Sequence, residues 1–265
     1  MIFFDDALAK VFNLIESLVA YIENLVGVNF IQSFTRLLEQ IHSAALLIGV
    51  VLVLISGLSF NGQVKMMFPW LIYVVLLSPI IILLLSFWAE TFHGACQDLI
   101  NANRTTVSNQ AYFRFSGFLT FVTAIATFLA AIYALAQGSF GPMTNYFVGG
   151  MLFYGFFLLL FSSTLFNPTL LNIEEDKASS GGEDFVALFA FQLKALLYFQ
   201  KIVSRILIIV GGFCLIVSIA EVGYFVWGVG LLLGGILYPF LVYMIFVLLY
   251  FWFSLLQSLL KWSRS

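Results

Sequence analysis

Two Glu-x-x-His pairs are the residues of this sequence whose types and spacing could do chemistry. Glu39 stands three residues before His42, and Glu90 stands three residues before His93. On a helix, that spacing places both side chains of a pair on one face. Di-iron and di-manganese sites in helical bundles combine two such pairs with further carboxylates. We therefore take Glu39, His42, Glu90 and His93 as candidate metal ligands, and a metal ion as a candidate cofactor.

Polar residues are common at the ends of membrane helices, and this explains the same four residues without a metal ion. Both pairs flank long apolar runs, where their side chains could meet lipid phosphates or backbone carbonyls. A di-metal site needs further ligands, and the sequence does not place the available ones. These are Glu16, Glu23, Glu174 and Glu175, together with Cys96 one turn beyond His93. Both interpretations stay open at this point.

The composition indicates a polytopic membrane protein. The chain has 265 residues, of which 62% are hydrophobic and 9% are charged. Soluble domains usually carry about 25% charged residues. A net charge of −2 without any basic run excludes nucleic acid as an expected partner. The two cysteines do not form the pattern of a disulfide framework.

The apolar runs predict an all-α fold with six transmembrane helices, since each crossing needs about 20 mostly apolar residues. Four runs have this length without Asp, Glu, Lys or Arg: 43–60, 68–88, 116–137 and 146–166. Between Arg205 and Lys261 the single charge is Glu221. That stretch is too long for one crossing, so we predict crossings near 206–222 and 229–254, with a turn around Glu221, Gly223 and Gly228.

The distribution of basic residues predicts the orientation. With six crossings, all 11 lysines and arginines except Lys65 fall on the side of the two termini. Cytoplasmic loops carry an excess of Lys and Arg. We therefore expect an integral protein of a bacterial inner membrane or a plasma membrane, with both termini in the cytoplasm.

Two further segments are predicted to be amphipathic helices lying in the membrane plane on the cytoplasmic side. Residues 3–26 carry an acidic polar face, which favours packing against protein. Residues 184–204 are basic, and in-plane placement would let Lys194, Lys201 and Arg205 reach lipid headgroups. The predicted regions are an N-terminal amphipathic part (1–42), a four-helix transmembrane part (43–166), a cytoplasmic loop with the basic helix (167–205) and a C-terminal transmembrane pair (206–265).

Small residues, prolines and one acidic run mark other candidate sites. Predicted helix-packing positions are Thr120, Thr123, Thr127, Gly230 and Gly234, because small side chains let helices approach. Pro79 and Pro239 are predicted to kink their helices. In the 167–184 loop, we take the acidic residues as a candidate partner-docking surface: Glu174, Glu175 and Asp176.

The leading functional hypothesis is a non-enzymatic integral membrane subunit. It would be a channel-like, permease-like or scaffold component of an oligomeric membrane complex, because so little of the chain lies outside the predicted crossings. Expected partners are membrane lipids and either further copies of the chain or other subunits. One alternative is a metal-dependent membrane enzyme with its site at the cytoplasmic rim. Another is a lipid-binding or lipid-handling protein with an apolar, phenylalanine-rich interior.

Overall fold

The computed structural model describes residues 2–64, 71–102, 104–137, 142–177, 181–220 and 223–262. Almost all of these residues are helical. The helices are α1 (Ile2–Leu25), α2 (Val28–Val64), α3 (Leu71–Ala102), α4 (Ala111–Ala136), α5 (Pro142–Phe166), α6 (Gly181–Val217) and α7 (Gly223–Trp262). A short 3-10 helix spans Pro168–Leu171, and two short strands are β1 (Thr105–Val107) and β2 (Ile173–Glu175).

Six apolar stretches of the described helices are long enough to cross a membrane, which confirms the predicted all-α class and number of long apolar helices. They are Glu16–Ile55, Leu76–Ala102, Ala111–Ala136, Phe147–Phe166, Asp184–Val217 and Gly223–Trp252. At about 1.5 Å of rise per residue, even the shortest of them, with 20 residues, spans the hydrocarbon thickness of about 30 Å. The chain is therefore a membrane protein by the length and composition of its helices. The in-plane position of the amphipathic segments stays a prediction.

The predicted boundary inside the sixth helix is wrong. Residues 184–204 and the first part of the predicted crossing 206–222 form one uninterrupted helix, α6. No proline stands between Gly181 and Val217, so nothing in the backbone breaks the helix at residue 205. The chain then turns at 218–220, and Gly228 lies inside α7 rather than in the turn. Gly223 is the first residue of α7, and Glu221 lies outside the described residues.

The predicted cytoplasmic loops are tied together by a two-stranded parallel sheet. Thr105 pairs with Ile173 and Val107 pairs with Glu175. Beyond the ladder, the backbone N–H of Asp176 donates to the Val107 carbonyl at 2.8 Å. Asn172 precedes the second strand with a φ of 54°, a left-handed conformation that Asn tolerates better than most residues. The candidate docking residues Glu174, Glu175 and Asp176 thus lie on or beside a strand, and the last two are exposed.

The described chain divides into two compact units. Unit 1 comprises residues 1–33 and 105–184, and unit 2 comprises residues 34–104 and 185–265. In unit 1, α4 packs against α5 through buried glycines. A Cβ built on Gly117 would lie 3.1 Å from the Phe166 ring, and the Ser162 hydroxyl donates to the Gly117 carbonyl at 2.9 Å. Glycine at this position therefore permits the close approach of the two helices.

The predicted threonine stripe of α4 contributes only in part to this packing. The buried row of the helix is Phe113, Gly117, Ala124 and Ala131. Thr120 and Thr127 are half-buried beside that row, whereas Thr123 is exposed. All three hydroxyls donate to carbonyls one turn earlier in their own helix, at 2.7–2.8 Å. Their polar groups are thus satisfied within α4.

An ion pair fastens α1 to α4 within unit 1. Arg114 Nε lies 2.7 Å from Glu23 Oε1, and Arg114 Nη2 lies 2.8 Å from Glu23 Oε2. The Arg114 side chain is 56% exposed, so the pair is largely screened by solvent.

We expect Arg114→Gln to lower the free energy of unfolding by about 1 kcal/mol or less, with the loss shrinking at high salt. Thermal unfolding at two salt concentrations measures this, with Lys177→Gln as an exposed control; a loss that does not depend on salt would contradict it.

In unit 2, α6 and α7 approach closely at glycines that differ from the predicted pair. A Cβ on Gly228 would lie 2.9 Å from the Leu215 backbone nitrogen, and one on Gly235 would lie 2.8 Å from the Ser204 carbonyl oxygen. At Gly230 and Gly234 an added Cβ meets nothing within 4 Å among the described residues. The packing face therefore follows a seven-residue spacing, because two turns of helix return to the same side. Pro79 and Pro239 lie inside α3 and α7, and the predicted kinks stay a prediction.

Candidate functional site

Arg205 is the centre of a charged cluster within unit 2. It lies on α6 with 3% of its surface exposed. Its Nη1 atom lies 2.8 Å from Glu39 Oε1 on α2, and its Nη2 atom lies 3.8 Å from Glu90 Oε2 on α3. One cation thus joins three helices. A buried guanidinium is costly unless it is paired, so the two carboxylates explain how this arginine is tolerated at a buried position of α6.

The two carboxylates of the cluster differ in how well their charge is compensated. Glu39 also pairs with Lys201, whose Nζ atom lies 3.1 Å from the same Oε1 atom. Lys201 precedes Arg205 by four residues, so both cations lie on one face of α6. Glu90 has only the longer 3.8 Å approach to Arg205 among the described ion pairs. Its side chain is 48% exposed, so its negative charge is both weakly paired and accessible.

A groove of about 510 Å³ opens beside this cluster. Its polar lining is Glu39, His42, Ser43, Ser86, Glu90 and Arg205, and its apolar lining is Leu46, Leu47, Leu83 and Phe87. The hydroxyls of Ser43 and Ser86 donate to carbonyls of their own helices, at 3.2 and 2.8 Å. The volume lies in the range of about 300–1,000 Å³ that is typical of small-molecule sites. Charged side chains therefore line one part of the groove, and apolar side chains line another.

The donors of Arg205 are incompletely satisfied. Nη1 has its carboxylate partner at 2.8 Å, but the 3.8 Å separation between Nη2 and Glu90 exceeds hydrogen-bond distance. The buried Nε atom has no hydrogen-bond partner among the described residues. A guanidinium carries five N–H donors, and leaving buried donors unpaired is unfavourable. This group is thus suited to take an additional acceptor.

The second histidine lies in a different cavity of unit 2. His93 is 5% exposed and lines a space of about 80 Å³ together with Gln200 and Lys201. The Nδ1 atom of His93 and the Oε1 atom of Gln200 have no hydrogen-bond partner among the described residues. His42, in contrast, lines the larger groove. The structure therefore brings the two glutamates together at Arg205 but gives the two histidines separate surroundings.

The four predicted metal ligands are thus only partly gathered. Within the described residues, no group of three or more His, Cys, Asp or Glu side chains is placed to hold a metal ion. Cys96 lies in an apolar cluster with Ile100 and Phe246, away from a polar lining. The described partners of the two carboxylates are cationic side chains: Arg205 for both, and Lys201 for Glu39 as well. Metal binding by Glu39, His42, Glu90 and His93 stays a prediction that these contacts do not support.

The predicted headgroup-binding residues lie deeper than expected. Lys194 is 5% exposed and Arg205 is 3% exposed, whereas we expected both to reach outward to lipid phosphates. The side chain of Lys201 is 34% exposed and engages Glu39. The continuity of α6 explains the difference, since the basic residues belong to a packed helix rather than a separate surface helix. Sequence reasoning therefore missed Arg205 as the centre of a cluster.

Comparisons of the chain with protein-family models, curated proteins and solved structures give no match. The wall of the groove combines two half-exposed carboxylates, a buried guanidinium with unsatisfied donors and a leucine-rich surface. Such a wall can hold a ligand that is charged at one end and apolar at the other.

Proposed function

We propose that this chain is a non-enzymatic, permease-like integral membrane subunit, and that the groove beside Arg205 is where it binds its solute. The observation that carries the proposal is the Arg205 guanidinium, 3% exposed and paired with Glu39 at 2.8 Å, beside a groove of about 510 Å³. Ionisable residues inside apolar helices are expensive and usually mark substrate or ion pathways. Burying these charges costs folding free energy, and solute binding would explain why the chain carries them there.

The contacts of the groove favour binding over bond-making chemistry. Its two serines use their hydroxyl donors on backbone carbonyls of their own helices, so neither is set against a base as a nucleophile would be. Its two carboxylates face the Arg205 guanidinium, at 2.8 Å for Glu39 and 3.8 Å for Glu90, rather than a group that they could deprotonate. These groups are suited to attract and orient a charged solute.

The orientation and the partners are part of the proposal. The asymmetry of Lys and Arg supports cytoplasmic termini. The exposed Glu175 and Asp176, held beside the parallel strand pair, offer an acidic surface to a basic partner subunit or a second copy of the chain. A mild-detergent purification followed by native mass spectrometry would report such a complex and its stoichiometry; a lone chain under these conditions would contradict the subunit assignment.

A solute-entry assay tests the permease function. The purified chain is reconstituted in liposomes, which are then placed in isosmotic solutions of small organic cations, anions, zwitterions or neutral solutes. We expect faster swelling with a charged class than in protein-free liposomes, and at least a tenfold slower rate with Glu90→Gln. Asp98→Asn removes an exposed carboxylate of the same helix outside the groove and should leave the rate unchanged. Equal rates for all variants, or no entry of any class, would overturn the proposal.

A lipid-handling function is the second candidate, and the apolar part of the groove favours it. Leu46, Leu47 and Leu83 line the same space as the charged residues, and Phe87 is 66% exposed beside them. An acyl chain could lie along such a wall, where its burial would contribute about 0.8 kcal/mol per methylene. Retention of lipid by the purified chain distinguishes this function from passage of small polar solutes.

A further inference from the structure

We propose that the groove of unit 2 binds the headgroup of an ethanolamine phospholipid, with the ammonium on Glu90 and the phosphate on Arg205. This rests on the second candidate function, lipid handling at the same groove, and it names the lipid headgroup. The two ligand charges would bind to adjacent protein groups, since Arg205 Nη2 and Glu90 Oε2 lie 3.8 Å apart. A zwitterion with a short linker is the chemistry that fits a neighbouring cation and anion.

The phosphate end follows from the unsatisfied donors of Arg205. This side chain lines the groove, is 3% exposed, and has no hydrogen-bond partner for Nε among the described residues. Its Nη2 atom is also beyond hydrogen-bond distance from Glu90. Guanidinium groups are strong donors to phosphate oxygens. A phosphate oxygen in the groove would supply an acceptor for Nη2, whereas the Nε atom is buried out of its reach.

The ammonium end follows from the carboxylate that is least compensated. Glu39 has two cations within 3.1 Å, whereas the nearest described cation of Glu90 is 3.8 Å away. Phe87 lies three residues before Glu90 on the same helix face, and its exposed ring can support a cation. A primary ammonium also donates hydrogen bonds to the carboxylate, which a quaternary ammonium cannot do. The site therefore favours ethanolamine over choline.

The apolar wall identifies the source of the headgroup as a lipid. Leu46, Leu47 and Leu83 line the groove beside the charged residues and have no role in binding a free, water-soluble phosphoethanolamine. They would contact the first methylenes of an acyl chain. The six long apolar helices place the chain in a membrane, where such lipids are the surrounding solvent. The groove thus matches the whole amphiphile rather than its headgroup alone.

The test is a competition for the full-length chain in detergent. Three phospholipids with identical acyl chains, whose headgroups are ethanolamine, choline or glycerol, are added at equal concentration. The retained lipid is measured by native mass spectrometry. We expect the ethanolamine lipid to be retained about tenfold more than the other two. Glu90→Gln should reduce this preference at least fivefold, while Asp98→Asn should keep it. Equal retention of the three lipids, or a preference that survives Glu90→Gln, would overturn the proposal.

A folding control and a competition with the free headgroup complete the test. Far-UV circular dichroism and size-exclusion chromatography establish that Glu90→Gln is folded; if it is not, Phe87→Leu replaces it, with the same expected direction. Free phosphoethanolamine is added as a competitor, and displacement of the lipid at equal concentration would overturn the lipid assignment. If lipid selectivity is absent while Glu90→Gln still slows solute entry into liposomes, the ligand class is wrong and the permease function stands. Selective lipid binding without solute entry would support the lipid assignment and overturn the permease function.

Discussion

Gly235→Ala is expected to lower the free energy of unfolding by about 1–3 kcal/mol, although it adds a single methyl group. The new Cβ would lie 2.8 Å from the Ser204 carbonyl oxygen and 3.0 Å from the Ile208 backbone nitrogen. Both are backbone atoms of α6, so the methyl group can be accommodated only if the two helices separate. Separation would also stretch the buried hydrogen bond of 2.7 Å that the Ser204 hydroxyl donates to the Gly235 carbonyl.

Gly234→Ala is the matched control, since it makes the same chemical change one residue earlier in the same helix. Its Cβ would meet nothing within 4 Å among the described residues. Replacement of glycine by alanine in a helix interior is favourable by up to about 1 kcal/mol, so this variant should be as stable as the original or slightly more stable. Thermal unfolding in detergent, followed by circular dichroism, gives the comparison. Equal losses for the two variants would show that α6 and α7 do not pack as described.

The glycine pair also shows a limit of sequence reasoning about helix packing. Gly230 and Gly234 have the four-residue spacing that favours helix association, and they were the predicted contact. The observed close approach uses Gly228 and Gly235, because the contacting face of α7 is set by the side chains of α6 opposite. Such a face depends on the neighbour, and a single helix sequence does not reveal it.

The extent of the helices, in contrast, could be read from the chain. An apolar run without charges has no alternative to a helix in a membrane, since its backbone groups need internal partners. The runs 116–137 and 146–166 accordingly appear as α4 (Ala111–Ala136) and α5 (Pro142–Phe166). The structure differs from the prediction where charge interrupts the run, since residues 184–204 and 206–217 belong to one helix. Lys194 suggested a separate surface helix, and in α6 its residue is 5% exposed.

The candidate site could be predicted from the sequence only in part. Of Glu39, His42, Glu90 and His93, the structure brings the two glutamates to one cation, Arg205, and places the two histidines in separate cavities. The chemistry of the site depends on Arg205, which stands 166 residues after Glu39 and meets it only through the tertiary fold. A carboxylate with a metal and a carboxylate with a guanidinium have the same local sequence, so pattern alone could not separate them.

Glu39→Leu is expected to destabilise the chain by about 3 kcal/mol, more than Arg205→Leu. Without Glu39, a guanidinium that is 3% exposed keeps one described carboxylate at 3.8 Å, and breaking a buried pair from one side leaves an uncompensated charge. Arg205→Leu leaves carboxylates that are 46% and 48% exposed, which water can solvate. We expect its cost to be about 1–2 kcal/mol. Asp98→Leu, at an exposed position of α3, serves as the control.

The double variant decides whether the ion pair acts as a unit. Glu39→Leu with Arg205→Leu should be less destabilised than the sum of the single variants by at least about 1 kcal/mol, because neither change then leaves a buried charge unpaired. If the losses of unfolding free energy of the two single variants, measured in urea, add up to that of the double variant, the two side chains do not interact in the folded chain. Glu90→Gln should cost less than about 1 kcal/mol, since its pairing is long and half-exposed. Glu39 would then hold the arginine in place, while Glu90 is the carboxylate left to a ligand.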